Sequence, residues 1–212
     1  MRIDRAGLPF ITAALLPAAA LAAMRRHKWA ASVAVLGGLL AWFFRDPERE
    51  VPQQAGLAVA PADGRIMVAG AGDPRFAPPG EWKQVTVFLS PVDVHVNRSP
   101  VSGRVARIEY RPGAFRPAYD ERSGDNERNE IWIDHDGQMV VVRQVVGILA
   151  RRIVCRIREG ETLERGQRIG LMKFGSRMDV FFPVAADLRV AVGARVVAGE
   201  TVIATMHAAG AG

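Results

Sequence analysis

A glycine followed by a serine, Gly175-Ser176, lies between two apolar segments that are rich in β-forming residues. Glycine has no side chain, so a nucleophile can approach its carbonyl carbon without hindrance. The hydroxyl of Ser176 can therefore attack the carbonyl of Gly175 and replace the amide bond by an ester. Elimination from that ester would leave a dehydroalanine, and hydrolysis would turn it into a pyruvoyl group at a new N-terminus. Most Gly-Ser pairs are simply turns, and the pair alone does not establish this chemistry.

A base that could activate the serine is His95, which follows the segment Ser90-Pro91-Val92-Asp93-Val94. An imidazole titrates near neutral pH and can accept a proton there. Asp63, in the turn Pro61-Ala62-Asp63-Gly64, could orient that imidazole as the third member of a relay. These three residues in this chain order would also suit a serine hydrolase, although no Gly-x-Ser-x-Gly motif surrounds the serine. A packed histidine without a catalytic role fits the local pattern as well.

The elements that must hold these residues are predicted to be β-strands. After Arg45, short apolar runs rich in β-branched residues are separated by Pro and Gly, which is a β pattern. Asp136-Gly137 between two such runs predicts a hairpin, and residues 112–129, which are polar and without a period, predict a long loop. The expected strands are Arg65–Ala69, Gln84–Leu89, Gly103–Tyr110, Glu130–His135, Met139–Val146, Ile153–Ile157, Arg168–Lys173, Met178–Pro183 and Val190–Val192.

Two similar units in the C-terminal third indicate the type of β fold. Residues 154–166 and 188–200 each contain a strand that ends in Gly, a short spacer and a second Gly. This pattern resembles the hairpins of lipoyl and biotinyl carrier domains, so we expect a mainly β fold, a barrel-sandwich of short strands. In the corresponding alternative function, a membrane-tethered carrier or adaptor domain, Lys173 could be the carrier lysine and the chain would stay intact.

The N-terminal residues differ from the rest, because residues 7–23 and 29–44 are nearly free of charge and the basic residues 24–28 separate them. Each run would make a helix of roughly 25 Å, short of the ~30 Å hydrocarbon core of a bilayer. If both runs crossed, basic residues would lie on both sides of the membrane. We therefore predict a shallow helical membrane anchor over 1–48 and a catalytic β domain over 49–212. A cleaved signal peptide and a buried hairpin of a soluble core are the alternatives.

Composition limits the partners and cofactors. The 212 residues carry 28 basic and 22 acidic side chains, and the net charge of +6 attracts the phosphates of lipid or nucleic acid. The chain has two tyrosines and no nucleic-acid-binding signature, so a nucleic-acid partner is not expected. The single cysteine, Cys155, excludes an intramolecular disulfide and a cysteine-built metal centre. The neighbours in Asp134-His135-Asp136 would point to opposite faces of a strand, so no metal site is predicted there.

Five motifs, in this order along the chain, resemble the short bacterial and archaeal type of phosphatidylserine decarboxylase. The resemblance extends from the apolar N-terminus to about residue 205. The motifs are Phe43-Phe44-Arg45-Asp46-Pro47-Glu48-Arg49, Pro61-Ala62-Asp63-Gly64, Phe88-Leu89-Ser90-Pro91-Val92-Asp93-Val94-His95-Val96-Asn97-Arg98, Asn126-Glu127-Arg128-Asn129 and Lys173-Phe174-Gly175-Ser176-Arg177.

The resemblance implies a proenzyme that cuts itself between Gly175 and Ser176 into chains 1–175 and 176–212. The two chains would form a heterodimer, with or without further oligomerisation. Ser176 would become a covalent pyruvoyl cofactor, without a metal or pyridoxal phosphate, and a Schiff base with phosphatidylserine would release carbon dioxide and leave phosphatidylethanolamine. Archaetidylserine is an alternative substrate. The family also implies association with the cell membrane, which we expect to be peripheral or monotopic on the cytoplasmic side.

Basic residues within these motifs are candidates for binding the phosphodiester of the lipid, because guanidinium groups match phosphate oxygens. They are Arg98, Arg128, Arg177 and Lys173. Longer members of the family carry two histidines in the segment that matches residues 93–100, whereas this chain has Arg98 at the second place. His95 would therefore serve both self-cleavage and decarboxylation, or another group takes over one of these steps.

Overall fold

The structure, a computed structural model, describes residues 2–117, 125–147, 153–172 and 176–207. The chain divides into two compact units, Met1–Glu48 and Arg49–Gly212. The division follows the change in the sequence, since the first unit contains two apolar helices and the second is built from strands.

The first unit is a helical hairpin closed by a two-stranded ribbon. Alanine and leucine, which are good helix formers, dominate both helices. Asp4 caps the first turn, because its carboxylate accepts a hydrogen bond of 2.8 Å from the backbone nitrogen of Ala6. Among the described residues one helix, Arg5–Ala23, is long and apolar enough to cross a membrane. The elements are β1 (Arg2–Ile3), a 3-10 turn (Arg5–Gly7), α1 (Leu8–Ala23), α2 (His27–Phe43) and β2 (Arg45–Asp46).

The second unit consists of antiparallel strands in three sheets. The large sheet is curled and has eight strands in the order β11-β7-β8-β9-β13-β5-β4-β15. The two small sheets have the orders β10-β12-β6 and β14-β16-β3. The strands are β3 (Leu57–Val59), β4 (Gly64–Ala71), β5 (Trp82–Leu89), β6 (Val96–Arg98), β7 (Gly103–Arg111), β8 (Arg128–His135), β9 (Gln138–Val145), β10 (Ile153–Cys155), β11 (Thr162–Leu163), β12 (Arg168–Met172), β13 (Ser176–Pro183), β14 (Asp187–Leu188), β15 (Arg195–Val196) and β16 (Val202–Thr205).

The predicted mainly β class is confirmed, whereas the likeness to carrier domains is not. The hairpin at Asp136-Gly137 is confirmed too: both residues have positive φ, 53° and 82°, as a two-residue turn between twisted strands requires. The strand predicted over Val190–Val192 is wrong, because these residues lie in the connection between β14 and β15. The predicted loop over 112–129 ends earlier than expected, since β8 begins at Arg128.

The hydrophobic core lies on one face of the large sheet and includes residues of both small sheets. Alternate residues of the central strands point into it, for example Met178, Val180 and Phe182 of β13. The intervening residues of β13, among them Arg177 and Asp179, therefore point to the opposite face. This alternation decides which side chains can meet near Ser176.

Candidate active site

Ser176 is the first residue of β13, the strand that lies between β5 and β9 in the large sheet. It pairs with Leu89 at the end of β5. The residue is fully buried, and its Oγ has no hydrogen-bond partner among the described residues. A buried hydroxyl without a partner costs about 1–3 kcal/mol. The fold thus holds a desolvated hydroxyl at the position where the sequence predicts a nucleophile.

Backbone hydrogen bonds and strand pairing fix the described residues on either side of residues 173–175. Met172, the last residue of β12, donates a backbone hydrogen bond of 3.2 Å to the carbonyl oxygen of His95. Ser176 pairs with Leu89, at the other end of the short loop that leads to His95. Met172 and Ser176 are thus paired with the two ends of the loop 90–94, which places His95 near the start of β13. Gly175 and Lys173 lie outside the described residues.

The strands on either side of residues 173–175, β12 and β13, belong to different sheets and do not pair with each other. Ser176 and Arg177 are strand residues, so their side chains point to opposite faces.

The ring of His95 is completely buried and has a defined tautomer. Its Nδ1 lies 2.9 Å from the backbone carbonyl oxygen of Asp93. A carbonyl oxygen can only accept, so Nδ1 carries the proton and the lone pair is on Nε2. The Asp93 carboxylate stabilises the loop that leads to His95, because it accepts hydrogen bonds from the backbone nitrogen and the hydroxyl of Ser90 at 2.9 and 2.6 Å. The imidazole is thereby prepared to accept a proton at Nε2.

Asp63 makes its hydrogen bonds elsewhere. Its carboxylate accepts two hydrogen bonds from one guanidinium nitrogen of Arg49, at 2.9 and 2.7 Å, and one of 2.8 Å from the backbone nitrogen of Ala198. Arg65 of β4 and Arg177 of β13 both pair with Phe88, so the Asp63 turn is about two strand spacings, ~10 Å, from the start of β13. Within the described part of the chain, no hydrogen bond joins Asp63 to the imidazole.

A chain of buried amides connects the large sheet to the strand that follows His95. Asn129 of β8 donates to Gln144 of β9 at 3.1 Å, and Gln144 donates to Asn97 of β6 at 2.8 Å. Asn97 then donates to the carbonyl oxygen of His95 at 3.3 Å. Gln144 pairs with Met178, two residues after Ser176. The amides therefore join β8 and β9 to the segment that carries His95, and β9 pairs with β13, the strand of Ser176.

The sequence interpretation assigned no role to these amides. Asn97 and Asn129 stand within recognised motifs, whereas Gln144 does not. The sequence does contain one indication of this role. Gln144 is polar, although it shares a face of β9 with Val142 and Val140 and alternation predicts an apolar residue there. Buried polar side chains of this kind must find partners, and here they find one another.

The predicted phosphate-binding arginines lie in two different places. Arg98, at the end of β6, is buried and donates to the carbonyl oxygen of Gly166 at 2.9 Å. Arg177 and Arg128 both pair with Val145 and so share the face of the sheet opposite to the Ser176 side chain. Of the three, Arg98 is on the strand that follows His95.

A buried charge network occupies the face that carries Arg177. Asp179 accepts from Arg177 at 3.1 Å and from the hydroxyl of Thr86 at 2.9 Å. Arg143 lies 2.9 Å from Glu130, and both residues are 2% exposed. Burial lowers the pKa of the Arg143 guanidinium below its ordinary value, whereas the carboxylates of Asp179 and Glu130 oppose that shift. The network anchors β13 to its neighbours just beyond Ser176.

Other parts of the surface offer less chemistry. Two cavities of about 520 and 550 Å³ lie beside His135 and Asp136, at the end of β8 remote from Ser176. In the described ranges, no group of three or more His, Cys, Asp or Glu residues could hold a metal ion. The partnerless Ser176 hydroxyl and the oriented His95 therefore make the β13 end the candidate active site.

Sequence comparisons agree on one family. A profile of the family described as phosphatidylserine decarboxylase matches residues 36–204. A phosphatidylserine decarboxylase proenzyme of Symbiobacterium thermophilum is 49% identical over 207 residues, which cover 95% of this chain and 94% of the relative. The proenzyme of Nitrosomonas europaea is 44% identical and covers 97% and 95%, and that of Azorhizobium caulinodans is 44% identical and covers 98% and 90%.

Proposed function

The chain belongs to the phosphatidylserine decarboxylase family, and on that premise we propose that it cuts itself before Ser176 and then removes carbon dioxide from phosphatidylserine. This proposal is carried by the buried hydroxyl of Ser176, the first residue of β13, which has no hydrogen-bond partner within the described residues and lies near His95.

In the first reaction the chain acts on itself. The Nε2 of His95 accepts the proton of the Ser176 hydroxyl, and the oxygen attacks the carbonyl carbon of Gly175. The C–N bond breaks as the C–O bond forms, and the proton passes to the new amine of residue 176. Elimination then releases Gly175 as a carboxylate. Hydrolysis of the resulting dehydroalanine, with loss of ammonia, leaves a ketone at residue 176.

The residues around Ser176 fit such a group, because the position is dry and the serine oxygen makes no hydrogen bond in the described part that its loss would break. When present, a pyruvoyl group supplies an electron sink for the electron pair left when carbon dioxide departs from an amino acid. His95 would then hold a proton at Nε2 and deliver it to the α-carbon of the product. One histidine can serve both reactions because it accepts a proton in the first and donates one in the second.

The other predicted site residues are candidates for binding the phosphodiester or for positioning the site. Arg98 is our first candidate for the phosphodiester, since it lies on the strand that follows His95, whereas Arg128 and Arg177 point to the other face of the sheet. Lys173 stays a predicted phosphate ligand outside the described residues. Asp63 binds Arg49 and Ala198, which supports a positioning role for its turn rather than direct proton transfer.

The two cleavage products would stay together. The fragment 176–212 supplies β13, which pairs with β5 and β9 of the fragment 1–175. Its strands β15 and β16 pair with β4 and β3 of the larger fragment. The small fragment therefore contributes the centre of the large sheet, and its release would expose the core.

Intact mass spectrometry tests this function. The purified protein should give two fragments that meet between residues 175 and 176, the smaller with a pyruvoyl-blocked N-terminus. Ser176→Ala should give one uncut chain of 23.0 kDa without decarboxylase activity. Ser102→Ala, at an exposed serine, is the matched control and should be cut normally.

Each rival function predicts a different result. An unbroken active chain whose Ser176 reacts with a fluorophosphonate would point to a serine hydrolase. An unbroken chain modified at Lys173 would point to a carrier domain. Cleavage of the Ser176→Ala variant would refute the proposed nucleophile.

A further inference from the structure

We propose that the helical hairpin of α1 and α2 crosses the bilayer, so that its tip, residues 24–28, reaches the head groups on the far side. A hairpin that crosses is a stronger claim than the shallow anchor predicted from the sequence. It extends the proposed membrane association and does not depend on decarboxylase activity.

The interior of the hairpin is built mostly from small residues. In α1 the buried residues include Ala14 and Ala18, and in α2 they include Ala30 and Gly37. At Gly37 the side chain of Leu15 fills the space beside the helix, so that a Cβ there would lie 2.8 Å from it. Small residues that allow close backbone contact are typical of helix pairs in membranes. A hairpin of this size in water would instead bury its large side chains.

Nine large apolar side chains of the two helices are exposed. A surface of this kind exceeds what a soluble monomer exposes. A helix that lies in the head-group region needs a polar face, and neither helix has one. The large side chains between 39% and 71% exposed are Leu8, Phe10, Leu15, Leu16, Trp29, Val35, Leu36, Leu39 and Trp42.

The hydroxyl groups within the apolar segments are satisfied inside their own helices. Thr12 donates to the carbonyl oxygen of Leu8 at 2.9 Å, and Ser32 donates to that of Lys28 at 3.2 Å. Side chains that bind their own helix backbone make no demand on water, as a hydrocarbon environment requires. Both helices are therefore suited to complete immersion.

The two ends of α2 carry residues that are typical of the two interfaces of a bilayer. Trp29 and Trp42 stand at opposite ends of the helix, about 20 Å apart along its axis. Tryptophan is enriched at both membrane interfaces. At one end the Arg45 guanidinium lies 4.0 Å from the centroid of the Trp42 ring, and at the other end Trp29 follows the basic residues 24–28.

The length of the helices sets how the bilayer must adapt. With its preceding turn, α1 belongs to the span Arg5–Ala23, which is long enough to cross, whereas the 17 residues of α2 extend over about 25 Å, a few ångströms less than the hydrocarbon core. Local thinning of the bilayer and basic side chains that reach outward can cover such a difference at modest cost. Three basic residues stand at each end: Arg25, Arg26 and Lys28 at the tip, and Arg2, Arg5 and Arg45 at the base. Their equal numbers give no orientation by the positive-inside rule.

The ribbon at the base decides which ends share a side of the membrane. Arg2 pairs with Asp46, and Ile3 pairs with Arg45, so the start and the end of the hairpin lie together. The chain leaves the hairpin at this base, and residue 49 therefore begins on the base side. A crossing hairpin places the tip opposite to Ile3, whereas a shallow one places both on the same side.

Cysteine labelling of the full-length chain distinguishes the two arrangements. Cys155 is replaced by serine, and one cysteine is then introduced at the tip, Met24→Cys, or at the base, Ile3→Cys. Both positions are exposed, at 68% and 40%. A membrane-impermeant maleimide is applied to sealed membrane vesicles of both orientations, and detergent-opened vesicles give the full label.

We expect Ile3→Cys to be labelled in one vesicle orientation and Met24→Cys in the opposite one. Labelling of Met24→Cys in the same orientation as Ile3→Cys, or in neither, would overturn the crossing hairpin. Intact mass of the same variants reports cleavage at residue 176 separately. If the hairpin crosses but the chain is uncut, only the proposed function is contradicted. If the chain is cut but the tip lies on the same side as the base, only the crossing is contradicted.

Discussion

The amide of Gln144 joins β9, the neighbour of the Ser176 strand, to the segment that carries His95, and its loss should affect both folding and the proposed self-cleavage. Gln144→Leu keeps a similar volume but removes both hydrogen bonds, to Asn129 and to Asn97. Both partners are buried, at 3% and 0% exposure. An unsatisfied buried polar group costs about 1–3 kcal/mol, so two of them should lower the free energy of unfolding by about 2–6 kcal/mol.

Gln144→Glu distinguishes the effect of the hydrogen bond to Asn129 from that of the hydrogen bond to Asn97. A carboxylate can still accept from the amide of Asn129, but it cannot donate to the oxygen of Asn97. The link to the His95 strand is therefore broken in both variants, whereas the link to β8 survives only in Gln144→Glu. We expect slow self-cleavage in both.

Urea unfolding at equilibrium measures the stability, and gel electrophoresis of freshly synthesised protein measures the half-time of cleavage. Gln138→Leu is the matched control, because Gln138 is on the same strand but lies at its solvent-accessible end. The control should change the stability by less than about 0.5 kcal/mol and leave cleavage unchanged. Cleavage should be compared under conditions in which every variant is folded, so that loss of stability alone cannot explain a slow reaction.

If Gln144→Leu behaves like Gln138→Leu in both measurements, the Gln144 amide neither stabilises the sheet nor positions His95. A destabilised variant that is cut at the normal rate would show that the amides stabilise the sheet without positioning His95.

Two further substitutions test neighbouring parts of the site. Asp179→Asn removes one partner of a buried ion pair with Arg177 and should lower the free energy of unfolding by about 3–5 kcal/mol, as urea titration would show. Asp73→Asn, which breaks an exposed pair with Arg75, should cost at most about 1 kcal/mol, and equal effects would contradict the importance of burial. His95→Ala should leave the chain uncut or cut slowly by intact mass; normal maturation with normal turnover would exclude His95 from both reactions.

Elements whose signals are local could be predicted from neighbouring residues along the chain. Apolar residues without charges specified the two helices, and a Gly that accepts positive φ specified the turn after Asp136. β-branched runs located eight of the strands because alternation and propensity are properties of neighbouring residues. Val190–Val192 has the same local pattern and is not a strand, since a strand also needs a partner. The chemistry proposed for Gly175-Ser176 and His95 rests on motifs, because motifs record residue types.

How these residues meet depends on contacts between distant parts of the chain. Strand register places Ser176 beside Leu89 and turns Arg177 to the other face, and neither fact follows from the local sequence. The partners of Asp63 and Gln144 are 14 to 135 residues away along the chain. Pairing across such distances depends on which sheets the whole chain can close around its core. Residue types thus indicated the reaction, and long-range packing decided which side chains can take part in it.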